Sequence, residues 1–64
     1  MAQKDLRRVR SAAQRVETAE RRLREAMVKA QDSGESVRDI APWAGLSASR
    51  VQQMLTQARR EQVP

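Results

Sequence analysis

From Asp5 to Gln31 the chain runs without a glycine or a proline. Ala, Arg, Glu, Leu and Gln dominate this stretch, and all of them enter a helix at little cost. A helix over residues 5–31 spans about 40 Å, and it takes up nearly half of a 64-residue chain. What remains can supply only short elements. The fold class expected is therefore all-α.

The long segment carries one apolar seam. Leu6, Val9, Ala13, Val16, Leu23, Met27 and Ala30 follow one another at spacings of three and four, interrupted by Glu20. Ala12, Ala19 and Ala26 widen the seam. Glu17/Arg21, Glu20/Arg24 and Glu25/Lys29 stand four apart with the acid first, the favourable order for a solvated helix face.

Asp32, Ser33, Gly34 and Glu35 break the pattern. Gly34 suits the left-handed conformation that ends many helices. Ser36 followed by Asp39 reads as a reciprocal capping box, so a second helix is expected from about Val37. Gly45 stops it early. Ser47 is a second cap, and a third helix is expected over about 48–61. No repeat, low-complexity tract or strand pattern is present. The whole chain, 1–64, is expected to form a single domain, with residues 5–31 as the long helix and 36–61 as a helical pair.

Composition removes whole classes of chemistry. The chain has no Cys and no His. It therefore lacks thiolate and imidazole ligands, a disulfide framework and the commonest general base. The acids Asp32, Glu35 and Asp39 lie near helix ends, where capping and the helix dipole account for them. The serines have no base of the right kind beside them. No catalytic group, metal or cofactor is expected. No apolar run reaches membrane-spanning length, and no signal-peptide pattern opens the chain. A soluble, cytoplasmic protein without a membrane partner or an evident small-molecule ligand is the expectation.

The charge is +5 with a pI near 11.4. Residues 1–15 contribute +4 and residues 47–64 contribute +2, whereas residues 32–46 contribute −2. Basic ends point to a polyanionic partner. Two short helices joined at Gly45 form a helix-turn-helix arrangement. Leu46, Val51, Met54 and Leu55 would turn the third helix inward. Ala48, Ser49, Arg50, Gln52, Gln53, Thr56 and Gln57 would then point outward. Arg and Gln are the side chains that can grip guanine and adenine edges with two hydrogen bonds.

Ile40-Ala41, Ala44-Gly45-Leu46-Ser47 and Val51 together resemble the helix-turn-helix signature of small bacterial and phage transcriptional regulators. The motif of sigma-factor region 4 is similar. A small residue, a glycine four later and a Val six beyond match at Ala41, Gly45 and Val51. The resemblance covers about residues 36–57. It implies that the helix starting at Ala48 is a recognition helix whose N-terminal half enters the major groove of double-stranded DNA. Base readers would be Ser49, Arg50, Gln52 and Gln53. Arg38, Ser47, Thr56, Arg59 and Arg60 would hold phosphates. The function implied is transcriptional regulation, as a repressor or an activator.

Pro42 departs from the pattern. A proline there removes an amide donor from the helix, so the second helix is expected to kink or to end in an irregular turn. Trp43, the sole aromatic residue, is expected to cover the core against the first helix with its indole N–H exposed. A contact of that N–H to phosphate or to a partner is the alternative. Two other functional classes stay open. One is a protein-interaction module, such as an adaptor for RNA polymerase. The other is a nucleoid-type protein that coats DNA through charge.

Leu6, Val9, Ala13 and Val16 have nothing in the same chain to pack on, because the short helices reach only the far end of the long one. A homodimer through the N-terminal helix buries them. The alternative is fraying before about Val16. An antiparallel pair would set two motifs apart by the order of a half-site spacing, about 34 Å.

Overall fold

The computed structural model describes residues 3–62 and contains three helices. These are α1 (Gln3–Asp32), α2 (Val37–Ala44) and α3 (Ala48–Gln62). All three expected helices are present, within two residues of the expected bounds at each end.

The connections follow the local chemistry. At the end of α1, the Glu35 amide donates to the Ala30 carbonyl at 3.1 Å and the Gly34 amide to the Gln31 carbonyl at 3.0 Å. This paired closure needs a left-handed residue, and Gly34 supplies it with φ +106°. Ser36 then opens α2. Its hydroxyl accepts from the Asp39 amide at 3.1 Å, and its own amide donates to the Asp39 carboxylate at 3.1 Å. The capping box read from the sequence is complete.

The closure repeats at Gly45. Its φ is +68° and ψ 28°, its amide donates to the Pro42 carbonyl at 3.3 Å, and the Leu46 amide donates to the Ala41 carbonyl at 3.2 Å. Ser47 caps α3 by accepting from the Arg50 amide at 3.1 Å. Two closures and two caps thus satisfy part of the backbone groups left open at both turns.

The irregular last turn expected at Pro42 is not found. α2 runs through Pro42 without a break and ends in a regular left-handed closure. The helix is only eight residues long, so the missing amide removes one bond, to Arg38. Both Arg38 and Pro42 lie on the exposed side, where water can satisfy the Arg38 carbonyl.

The core lies at the C-terminal end of α1. Met27 and Val28 from α1, Ile40 and Ala41 from α2, and Val51, Met54, Leu55 and Ala58 from α3 are buried together. Leu23, Ala30, Val37, Ala44 and Leu46 close its edges. Val51 and Leu55 are the most deeply buried side chains, and truncating Leu55 to Ala would cost about 2–5 kcal/mol. α3 packs on both other helices.

The rest of α1 stands away from this core. Residues 3–22 are exposed without exception. The radius of gyration is 15.0 Å, against roughly 11 Å for a compact chain of this length. The longest dimension is 49 Å. The structure is a small three-helix head with a helical arm that begins at Gln3.

Two further expectations are corrected. Trp43 does not cover the core, and 93% of it is exposed. The inward stripe of α2 is Val37, Ile40, Ala41 and Ala44, and Trp43 falls on its flank. It borders a shallow apolar groove between α1 and α2 but buries almost none of itself there. The ion pairs differ as well. Arg24 meets Glu61 of α3 at 3.7 Å instead of Glu20, and the other pair found among the described residues is Arg59 with Asp32. Exposed i, i+4 pairs contribute a few tenths of a kcal/mol at most, so little holds them closed.

Candidate nucleic-acid interface

α3 presents its core stripe, Val51, Met54, Leu55 and Ala58, to the other two helices. With about 100° of rotation per residue, the line opposite that stripe is Ser49, Gln53, Thr56 and Arg60. Arg50 and Gln57 flank it on one side, Gln52 and Arg59 on the other. All eight are exposed. No acidic residue occurs in α3 before Glu61, and Glu61 is turned to Arg24 of α1. The outer face of α3 is therefore polar to basic throughout.

The four expected base readers, Ser49, Arg50, Gln52 and Gln53, fall within the first six residues of α3, beside the Ser47 cap. They share the outer half of the helix, but Arg50 and Gln52 stand on opposite flanks with Ser49 and Gln53 between them. The side chains that tie α3 to α1 come from its C-terminal end. Its N-terminal turns are thus left open.

The expected phosphate ligands divide into two groups. Arg38, Arg50 and Arg60 are exposed and form no ion pair with the described residues. Ser47 accepts the Arg50 amide at its oxygen, which leaves the hydroxyl proton available to a phosphate. Thr56 and Arg59 are already engaged. The Thr56 hydroxyl donates to the Gln52 carbonyl at 2.9 Å. The Arg59 guanidinium donates to Gln31 Oε1 at 2.8 Å and to Asp32 Oδ1 at 3.0 Å. Thr56 would have to give up its bond to donate to a phosphate, whereas Arg59 makes both of its contacts through one terminal nitrogen and keeps its Nε and other terminal nitrogen for DNA.

Electrostatics follow the same division. The Asp39 carboxylate is held below the ordinary range by the Ser36 amide that donates to it, and next by the Ser36 hydroxyl. It is a structural anion of the cap, at the end of α2 away from Gly45. Among the described residues no group of acids, Cys or His is placed to hold a metal ion, and no helix is long and apolar enough to cross a membrane.

Sequence reading missed Val28 and Arg24. Val28 is buried although it lies off the three-four seam. Arg24 has a side chain only 13% exposed, with its Nε buried and unpartnered. Both sit where α3 crosses α1 and widens its buried face, a long-range event with no local signal. No protein-family model, curated protein or solved structure matches this chain.

Proposed function

We propose that this chain binds double-stranded DNA with sequence preference through α3 and acts as a small transcriptional regulator. The observation that carries the reading is the outer face of α3. It is unobstructed, it holds Ser, Gln, Thr and Arg side chains, and it lacks acids and large apolar groups. A protein-binding surface of this size would expose aromatic or aliphatic anchors there. A groove-reading helix needs donors and acceptors on a rigid support, and the buried Val51–Leu55 stripe provides that support.

In this reading the first two turns of α3 enter the major groove. Ser49 and Gln53 lie at the centre, and Arg50 and Gln52 reach to either side. Arg38, Ser47 and Arg60 contact the phosphates that border the groove. Phosphate contacts position the head and base contacts select the sequence.

The test is selection of bound DNA from a random pool at two salt concentrations. An enriched motif at both is expected. Arg50→Ala and Gln52→Ala should each leave the helical content unchanged, because both residues are exposed, and should relax base preference by about 1–3 kcal/mol at the affected position. Salt-dependent binding with no enriched motif would assign the protein to charge-driven coating of DNA. Absence of binding at either salt would leave the protein-interaction reading.

A further inference from the structure

The arm of α1 has an open apolar seam. Leu6, Val9 and Val16 are 56%, 65% and 57% exposed. With Ala13 they begin an alternation of threes and fours that passes through Glu20 and continues as Leu23, Met27 and Ala30. From Leu23 onward the seam packs on or lies within the head's own core. Before it, none of the described residues covers it. A helix without packing is marginal in water, so a partner along the free arm of about twenty residues would stabilise it. A second uncovered feature adjoins the first. The groove bordered by Trp43 is lined on its α1 side by Leu23, Ala26, Met27 and Ala30.

We propose that both features are covered by the arm of a second copy, running antiparallel and crossing near Gln14 and Arg15. The charges beside the seam single out this occupant. Arg10 lies next to it in the N-terminal half. Glu17 lies next to it in the C-terminal half, and Glu20 lies in it. An antiparallel pair brings each Arg10 against the partner's Glu17 and the partner's Glu20, and two-fold symmetry repeats the contact. A parallel pair would set Glu20 against the partner's Glu20 in a drying seam, where like charges are costly.

Two kinds of layer are apolar in this register, and in the third Val9 faces the partner's Glu20, which the Arg10 beside that Val9 reaches. Each Val16 meets the partner's Ala13, a large side chain against a small one. Ala12 and Ala19 flank the crossing and permit close approach. Each Leu6 reaches the partner's Leu23 at the mouth of the groove beside Trp43, so the stripe and the groove close together. Nucleic acid does not fit this seam. The arm's acid-free basic line, Arg8, Arg15, Arg22 and Lys29 at sevenfold spacing, lies on a different face and stays open in the pair.

The inference does not depend on the DNA-binding reading, and its test contains no DNA. Sedimentation equilibrium of the full chain should give a dimer, and Trp43 emission should shift to the blue as concentration rises. Arg10→Glu alone, and Glu17→Arg with Glu20→Arg alone, should each weaken the dimer by about a hundredfold or more. Mixing the two variants in equal amounts should restore it, which keeps the test decisive even if either variant alone loses helix. Since the chain has no cysteine, Leu6→Cys reports orientation cleanly. Antiparallel arms keep the two thiols apart and give no disulfide-linked dimer on oxidation. A monomeric wild type, charge variants that stay dimeric, a mixture that stays monomeric, or ready disulfide linkage of Leu6→Cys would each overturn the proposal.

Discussion

Arg59 reaches back from α3 to Asp32 at 3.0 Å and ties the far end of the third helix to the end of the first. Its neighbour Arg60 has no such tie among the described residues and sits on the line opposite the core. The two arginines should therefore separate in DNA binding. Arg60→Ala should flatten the dependence of log affinity on log salt by about 0.9, the slope of one phosphate contact. Arg59→Ala should leave that slope unchanged and lower stability by a few tenths of a kcal/mol, as expected for an exposed pair. Titrations of one DNA duplex at a series of salt concentrations measure both. Equal slopes for the two variants would place Arg59 on DNA in the complex.

Gly45 tests the turn. A Cβ built at Gly45 meets nothing within 4 Å, so a substitution there costs backbone energy and not a clash. Gly45→Ala should destabilise the head by about 1–2 kcal/mol. Gly45→Val should cost more, because a β-branched residue is poorly tolerated at positive φ. Thermal melts followed by circular dichroism rank the three proteins. A valine variant that melts with the wild type would mean that the turn rearranges.

Asp39 gives the head a sensitivity to acid. Its carboxyl is held below the ordinary range by the Ser36 amide and hydroxyl. A group whose pKa is depressed on folding adds stability above its unfolded pKa, and that stability is lost as the pH falls through the folded value. The gap in denaturant midpoint between wild type and Asp39→Asn should thus be full near neutral pH and should shrink below about pH 4. A gap independent of pH would separate the cap's stability from the carboxylate charge.

Arg24 is mostly buried, yet its ion pair with Glu61 is long at 3.7 Å and its Nε has no partner. Replacing such a group by an apolar one of similar length is often neutral or stabilising. Arg24→Met should raise the unfolding free energy by about 1 kcal/mol, since Glu61 remains exposed and is not stranded. Urea unfolding decides the sign. A loss of stability would show that the pair with Glu61 is net stabilising.

The sequence was most legible where structure is local. Ser36 with Asp39, Gly45 and Ser47 each act on residues within five positions, and all were readable. The spacing of Val51, Met54 and Leu55 showed which face of α3 is buried, and that placed Ser49, Arg50, Gln52 and Gln53 outside. Relations between helices were not legible. Val28 and Arg24 became buried because α3 crosses α1 there. Arg59 found Asp32 for the same reason, and Trp43 is exposed because it falls on the flank of the inward stripe of α2.

One consequence of the arm concerns bearing. α1 is a single rod, and only residues from Leu23 onward are seated in the head. Inserting one residue near Thr18 would leave that seating intact, yet it would swing everything before it by about 100° and advance it by about 1.5 Å. Only an insertion or deletion of about seven residues returns the outer rod to nearly its first bearing, with a drift of about 20°. The arm can thus be lengthened or shortened in steps of about 10 Å, which alters the reach between its outer end and the head without altering a residue of α3. Length and bearing are adjustable on one element while the outer face of α3 stays fixed on another.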